Sequence, residues 1–467
     1  MSILIKDARF VICDENKVIE NGAVYIEEDK IVDVGESDQL KKKYKADVTI
    51  DARKKAVMPG LIDCHCHVGQ VHNRGMIWWA VTQRGAMRPK DKFDILEKWI
   101  WPGYLFHSSE TTYDVELVAL LEMIKSGTTT HADCHIFPDS MAKAAMKSGI
   151  RKVLCPQIQT RWKLPDAESP EDYLKMTERI IQEYDGSQNG RIRVKVHPHW
   201  VFSSEKEYLE KSAEIARKYS VGIGIHMAED LTELDIAKDR HGKGPVEYLN
   251  DAGLLGPKTI GFHCIWLNDK EIRLFKETGT AAAHCPRSNL MAGFGVARVP
   301  EYLEQGVTVG LGTDSPQLGH ALDIFDEMKV TYLHNVARVS PGEGSMVKFR
   351  PSIRIFPGTI FAMATKGGAK ALNLENEVGT LEKGKKADVI IVDLKHPKFY
   401  PPKMQNIVTM MTMAANGSDV DTTIVDGKIL MESRKVKTID EPAVLEKASE
   451  IADEYYRMGP EKWPYYF

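Results

Sequence analysis

The run His65-Cys66-His67 is the first place where residue types and spacing could do chemistry. Side chains alternate faces along a strand, so the two imidazoles share one face and Cys64 and Cys66 share the other. Two imidazoles on one face can hold one metal ion, and the cysteines cannot join them without breaking the strand. Three more polar groups stand at the ends of short apolar runs: His226 after VGIGI, His263 in TIGFHCI and Asp314 in VTVGLGTD. Histidine nitrogens with one carboxylate oxygen suit zinc, or iron in its divalent state. Glu229 follows His226 by three residues. A metal lowers the pKa of a bound water from 15.7 to about 7. A carboxylate in reach of that water can take its proton and deliver it elsewhere. Taken alone, Glu229 also reads as a first-turn acid favoured by a helix dipole.

These groups must be brought together by elements far apart in the chain. From residue 57 to 314 the sequence alternates short apolar runs with amphipathic stretches. The runs are VMPGLIDCHCH (57–67), GTTTHADC (127–134), RKVLCPQI (151–158), RIRVKVHP (191–198), VGIGIHM (221–227), TIGFHCI (259–265), TAAAHC (280–285) and VTVGLGTD (307–314). Eight strands with helices between them predict a parallel sheet closed as a (β/α)8 barrel, an α/β fold. The competing open, doubly wound sheet lacks a G-x-G-x-x-G after its first strand. In barrels the reactive groups lie at the C-terminal ends of several strands, where these residues fall. Residues 1–56 and 376–436 read as charged, alternating strands. Neither end holds enough strands for its own core, so they predict one small β-sandwich domain built from both termini. The expected units are 1–56 and 376–436 for that domain, 57–375 for the barrel, and 437–467 for a helix with an aromatic tail.

Composition limits the alternatives. The 467 residues are 43% hydrophobic and 27% charged, with 62 Lys+Arg against 66 Asp+Glu and a net charge of −4. That balance leaves no basic footprint for nucleic acid or an anionic membrane. No apolar run reaches the roughly 18 residues that span a bilayer. Seven scattered cysteines predict a reducing, cytoplasmic setting rather than a disulfide scaffold. The connection 68–113 carries Trp78, Trp79, Trp99, Trp101 and Tyr104 and reads either as a pocket wall or as barrel cover.

The stretches VMPGLIDCHCH, SGTTTHAD (126–133), HMAED (226–230), GFHCIWL (261–267), HCPRSN (284–289), GTDSP (312–316) and MATKGGAKALNLENEVGTLEKGKKADVIIVDL (363–394) together resemble the amidohydrolase superfamily. Within it the chain is most similar to the group of S-adenosylhomocysteine and methylthioadenosine deaminases, guanine deaminase and s-triazine hydrolases. The likeness runs from the first strands to about residue 435. It implies a hydrolase that deaminates an aromatic N-heterocycle of purine, pyrimidine, pterin or triazine type through a metal-bound hydroxide. It implies one divalent metal, usually zinc and sometimes iron, on His65, His67, His226 and Asp314. It further implies that Glu229 shuttles a proton to the ring nitrogen, that His263 orients the attacking water and that Asp314 accepts its proton. His199, in HPHWVFSS, matches a substrate-contacting histidine.

The chain also departs from the pattern. Leu290-Met291-Ala292 follows Ser288-Asn289 where a lysine is usual, and His131 stands where a phenylalanine is usual. These departures bear on the substrate, and His72, Arg74, Trp78 and Arg161 are candidate contacts to it. Lys195, on the fourth strand with His197 and His199, could in a two-metal form bridge the ions as a carboxylated lysine. A hydrolase expelling chloride or an alkylamine, or opening a cyclic amide, would keep the same site. A non-catalytic scaffold would not need the full ligand set. The expected partners are a small heterocycle and further copies of the chain.

Overall fold

The computed structural model describes residues 1–76, 92–339 and 355–457. The amino end forms β1 (Ser2–Ile12), β2 (Val18–Glu27), β3 (Lys30–Glu36), β4 (Val48–Asp51) and β5 (Lys55–Pro59). The middle forms β6 (Leu61–Cys66), β7 (Thr128–His135), β8 (Arg151–Pro156), β9 (Ile192–Val196), β10 (Gly222–Met227), β11 (Thr259–His263), β12 (Ala281–His284) and β13 (Val309–Leu311). The carboxyl end adds β14 (Val389–Asp393), β15 (Val420–Val425), β16 (Lys428–Glu432) and β17 (Lys435–Val436).

The two ends do join. Their nine strands make one mixed sheet in the order β17-β16-β15-β14-β5-β1-β2-β3, with β4 beside β1. The antiparallel pair β5–β14 stitches the halves, Val57 opposite Ile391. Ile3, Val11, Val57, Val389, Ile391 and Ile424 share one apolar core, which neither end could fill alone.

Strands β6 to β13 run parallel in sequence order. They are buried along their length and so read as apolar runs rather than alternating ones. The ring closes through an isolated parallel bridge between Cys66 and Asp314. Among the described residues, no helix is long and apolar enough to cross a membrane.

Three sequence expectations change. VMPGLIDCHCH is two strands, because β5 belongs to the terminal sheet and β6 begins the barrel after Gly60. A Cβ on Gly60 would come within 2.1 Å of the Thr129 side chain, so only glycine lets the chain cross there. The eighth strand stops at Leu311, three residues before Asp314. The connection 68–113 is largely helical where described. A 3-10 turn spans Val68–Asn73, helical turns run through Lys92–Leu105, and a long helix, Ser109–Lys125, opens on a Ser108–Thr111 capping box.

A buried ion triad fixes the loop behind the first strand. Lys152 of β8 meets Glu116 of the Ser109–Lys125 helix and, at 2.6 Å, Asp133 of β7, and all three side chains are fully buried. The other Asp133 oxygen accepts the Val68 N–H at 3.1 Å, one residue beyond His67. Burial and the Asp133 charge push the Glu116 carboxyl up. Lys152→Met would leave two buried carboxyls without their cation. It is expected to destabilise the fold by about 3–5 kcal/mol, read from the midpoint of urea unfolding.

The carboxyl helix Glu441–Arg457 packs on the Ser109–Lys125 helix through Lys125–Glu441 (2.6 Å) and buries Ile451 and Tyr455. The aromatic tail beyond it, Trp463 to Phe467, lies outside the described residues.

Candidate metal centre and active site

The seam of the barrel is where the site begins. Asp314 N–H donates to His65 O at 2.8 Å, and Asp63 ties the same two segments through its buried carboxylate. Asp63 accepts from His65 N (3.2 Å), Thr313 N (3.1 Å) and Thr313 Oγ1 (2.5 Å). Left-handed backbone marks three of the reactive strand ends, at Ala228 (φ 50°), at His263 (φ 67°) with Cys264 (φ 48°), and at Asp314 (φ 62°). Non-glycine residues hold that conformation at a cost.

The cysteines are turned away as alternation requires. Cys64 Sγ donates to Gly368 O (3.6 Å) and Cys66 Sγ to Ala132 O (3.3 Å). His65, His67 and His226 form one group whose ligand atoms lie within 4.8 Å of one another. His65, His263 and Asp314 form a second.

The second nitrogen of each imidazole explains what the first can do. His67 Nδ1 is 2.6 Å from Cys134 O, and His226 Nδ1 is 2.7 Å from His199 O. A carbonyl only accepts, so both Nδ1 atoms carry the proton and both Nε2 atoms bear lone pairs. Those two Nε2 atoms face each other at 3.3 Å. Two lone pairs so placed repel unless a cation lies between them. Two nitrogens each about 2.0–2.1 Å from zinc, at a tetrahedral angle, stand about 3.3 Å apart. His65 Nε2 is 3.3 Å, and His67 Nε2 3.6 Å, from Asp314 Oδ1. Burial pulls the His65 imidazole down to about 3 and drives His226 well below its ordinary value. Burial opposes charge on Asp314 too, but His263, His65 and His67 hold its carboxyl well below the usual range. Three imidazoles and one carboxylate are a zinc donor set.

Across the centre, His263 Nδ1 donates to Asn289 Oδ1 at 2.8 Å, which leaves its Nε2 as an acceptor. That Nε2 lies 3.9 Å from both Glu229 Oε1 and Asp314 Oδ2. Ser288 Oγ donates to the same Asp314 Oδ2. Glu233 grips the loop that carries Glu229, accepting from Ala228 N (2.8 Å) and Glu229 N (3.0 Å).

Residues 56–430 match the Amidohydrolase family. The chain belongs to that family. The amidohydrolase is 38% identical over 454 residues to a 5'-deoxyadenosine deaminase of Methanosarcina mazei, covering 97% of this chain and 98% of that one. It is 36% identical over 440 residues to a 5-methylthioadenosine/S-adenosylhomocysteine deaminase of Caldanaerobacter subterraneus subsp. tengcongensis, covering 94% and 95%. Its fold is that of an adenosine deaminase from Xanthomonas campestris solved with bound zinc. The TM-score there is 0.88 at 24% identity, covering 97% and 98% of the two chains.

The amidohydrolase gathers His65, His67, His226, His263, Glu229 and Asp314 at one mouth. His199 joins them, its ring 4.9 Å from His226 and 5.2 Å from Trp101. The other expected contacts make packing or ion-pair contacts of their own. Arg74 is ion-paired with Glu122 at 2.5 Å. His72 packs its ring on Phe106, His107 and Tyr455. Arg161 lies over the Phe93 ring at 4.2 Å, 3.9 Å from Glu97. Trp78 is outside the described residues. Lys195 points away from the centre, donating to Lys258 O (2.9 Å) and Asn373 Oδ1 (2.8 Å). The sequence reading missed Asp63, Ser288, Asn289 and Glu233. Ser288 and Asn289 sat inside the quoted HCPRSN run, which was the one signal available.

Proposed function

We propose that this amidohydrolase is a zinc-dependent deaminase of adenosine-type nucleosides altered at the 5' position. Zinc would sit on His65, His67, His226 and Asp314. The facing Nε2 atoms of His67 and His226, 3.3 Å apart, carry the metal part of this reading. The likeness to the two named deaminases over nearly the whole chain supports the substrate class. When bound, the metal supplies a water of lowered pKa and Lewis-acid stabilisation of developing negative charge.

The chain's own residues do the rest. Glu229 Oε1 and Asp314 Oδ2 each lie 3.9 Å from His263 Nε2, and in this reading the three groups share the attacking water. Asp314 Oδ2 takes one proton from the attacking water. His263 Nε2 accepts its hydrogen bond and aims it at the carbon bearing the amino group. Glu229 delivers a proton to the adjacent ring nitrogen, so negative charge never builds on the ring. The tetrahedral carbon then collapses, the amino group takes the proton held by Asp314 and leaves as ammonia, and the second water proton returns to Glu229. Ser288 keeps Asp314 Oδ2 turned to this water, and Asn289 keeps the His263 tautomer. A reducing compartment fits the seven cysteines, all free and buried.

Competition among heterocycles tests the substrate class. With zinc-loaded enzyme, 5'-deoxyadenosine and methylthioadenosine are expected to show kcat/KM above guanine and chlorotriazines by about 10²-fold or more. The reverse ranking would overturn the adenosine reading while leaving the metal site standing.

A further inference from the structure

Of the imidazoles of His65, His67, His226 and His263, three hand their Nδ1–H to an oxygen. His67 gives it to Cys134 O, His226 to His199 O and His263 to Asn289 Oδ1. His65 differs. Its Nδ1 lies 3.6 Å from the sulfur of Cys134, with both residues fully buried. A histidine that gives its Nε2 lone pair to a metal keeps its remaining proton on Nδ1, and that proton needs an acceptor. In the buried pocket behind His65 that acceptor is Sγ of Cys134.

We infer that Cys134 is a positioning residue for the metal, holding two ligands at once: His67 through its backbone carbonyl and His65 through its thiol sulfur. Cys134 can do this because of its place on β7. It sits opposite Cys155 of β8 in a parallel ladder, and its carbonyl points toward His67. Its sulfur accepts from His65 Nδ1 while its carbonyl accepts from His67 Nδ1. Its own hydrogen is free to face Cys155, whose Sγ in turn donates to Val153 O at 3.9 Å. Sulfur is a weaker acceptor than a carbonyl, so His65 is the least polarised of the ligand imidazoles. Its orientation also leans on the stacked Phe262 ring, 4.1 Å away.

This inference rests on the zinc reading above, and the test separates the two. Cys134→Val keeps the volume and apolar character and deletes the acceptor, while Cys134→Ser restores one. The backbone carbonyl that serves His67 survives in both. Zinc affinity is measured by competition with a chromogenic chelator, and the visible spectrum of the cobalt-loaded protein is recorded beside it. Cys134→Val is expected to bind zinc about 10–100-fold more weakly than the parent, with a shifted cobalt spectrum. Cys134→Ser is expected to recover most of that loss. Metal-free melting curves close to the parent's show that the variants are folded. If the parent binds zinc and Cys134→Val binds it equally with an unchanged cobalt spectrum, the role of Cys134 is refuted. If the parent itself binds no zinc or cobalt, the metal reading is what fails.

Discussion

Glu229→Gln is expected to hold zinc as the parent does while turning over about 10²–10⁴-fold more slowly. The carboxylate is absent from both groups of atoms that could hold a metal, so its loss removes no ligand. Glutamine keeps the shape and still fills the buried position next to His263. Its loop remains gripped, because Glu233 binds backbone N–H groups that the substitution does not touch. What glutamine cannot do is carry a proton between water and a ring nitrogen. Zinc content and kcat measured on the same preparation check the prediction. Parent-like turnover would remove Glu229 from the proton path.

Asp314→Ala is expected to lose metal and activity together. One carboxylate oxygen faces His65 and His67, and the other faces Ser288 and His263. It is the single anion in either group of ligand atoms among the described residues, and its loss takes away one of the four proposed ligands. The substitution also deletes a proton acceptor, so kcat falls by at least the same about 10²–10⁴-fold even in excess zinc. The barrel seam should survive, since Asp314 contributes backbone groups there. Metal analysis after gel filtration gives the first readout and steady-state kinetics the second. A stoichiometric, active Asp314→Ala protein would contradict the assigned ligand set.

What could be read from the sequence, and what could not, follows from the range of each interaction. The pairing of His65 with His67 and the exclusion of Cys64 and Cys66 are consequences of strand alternation over three residues. The barrel is legible because each β–α step is local. The joining of both termini follows from each end having too few strands. Asp63 was not legible as a clamp, because its partner Thr313 is 250 residues away. Ser288 and Asn289 were quoted as part of a motif, yet their partners, Asp314 and His263, each lie 26 residues off and only the fold supplies them. The ion pair of Arg74 was out of sight for the same reason. A charge in a loop looks available until Glu122, on a helix 48 residues later, is seen to neutralise it. The helical turns within 92–105 were obscured by the aromatics that lend that segment a loop-like appearance.

The most direct measurement is the ammonia released when 5'-deoxyadenosine is supplied to protein first stripped of metal and then reloaded with zinc. The account predicts no release from the stripped protein. It predicts one ammonia for each nucleoside consumed after reloading, with the purine product carrying oxygen where the amino group stood. Zinc-loaded protein that consumes no nucleoside and frees no ammonia, or stripped protein that works as well as reloaded, would contradict it.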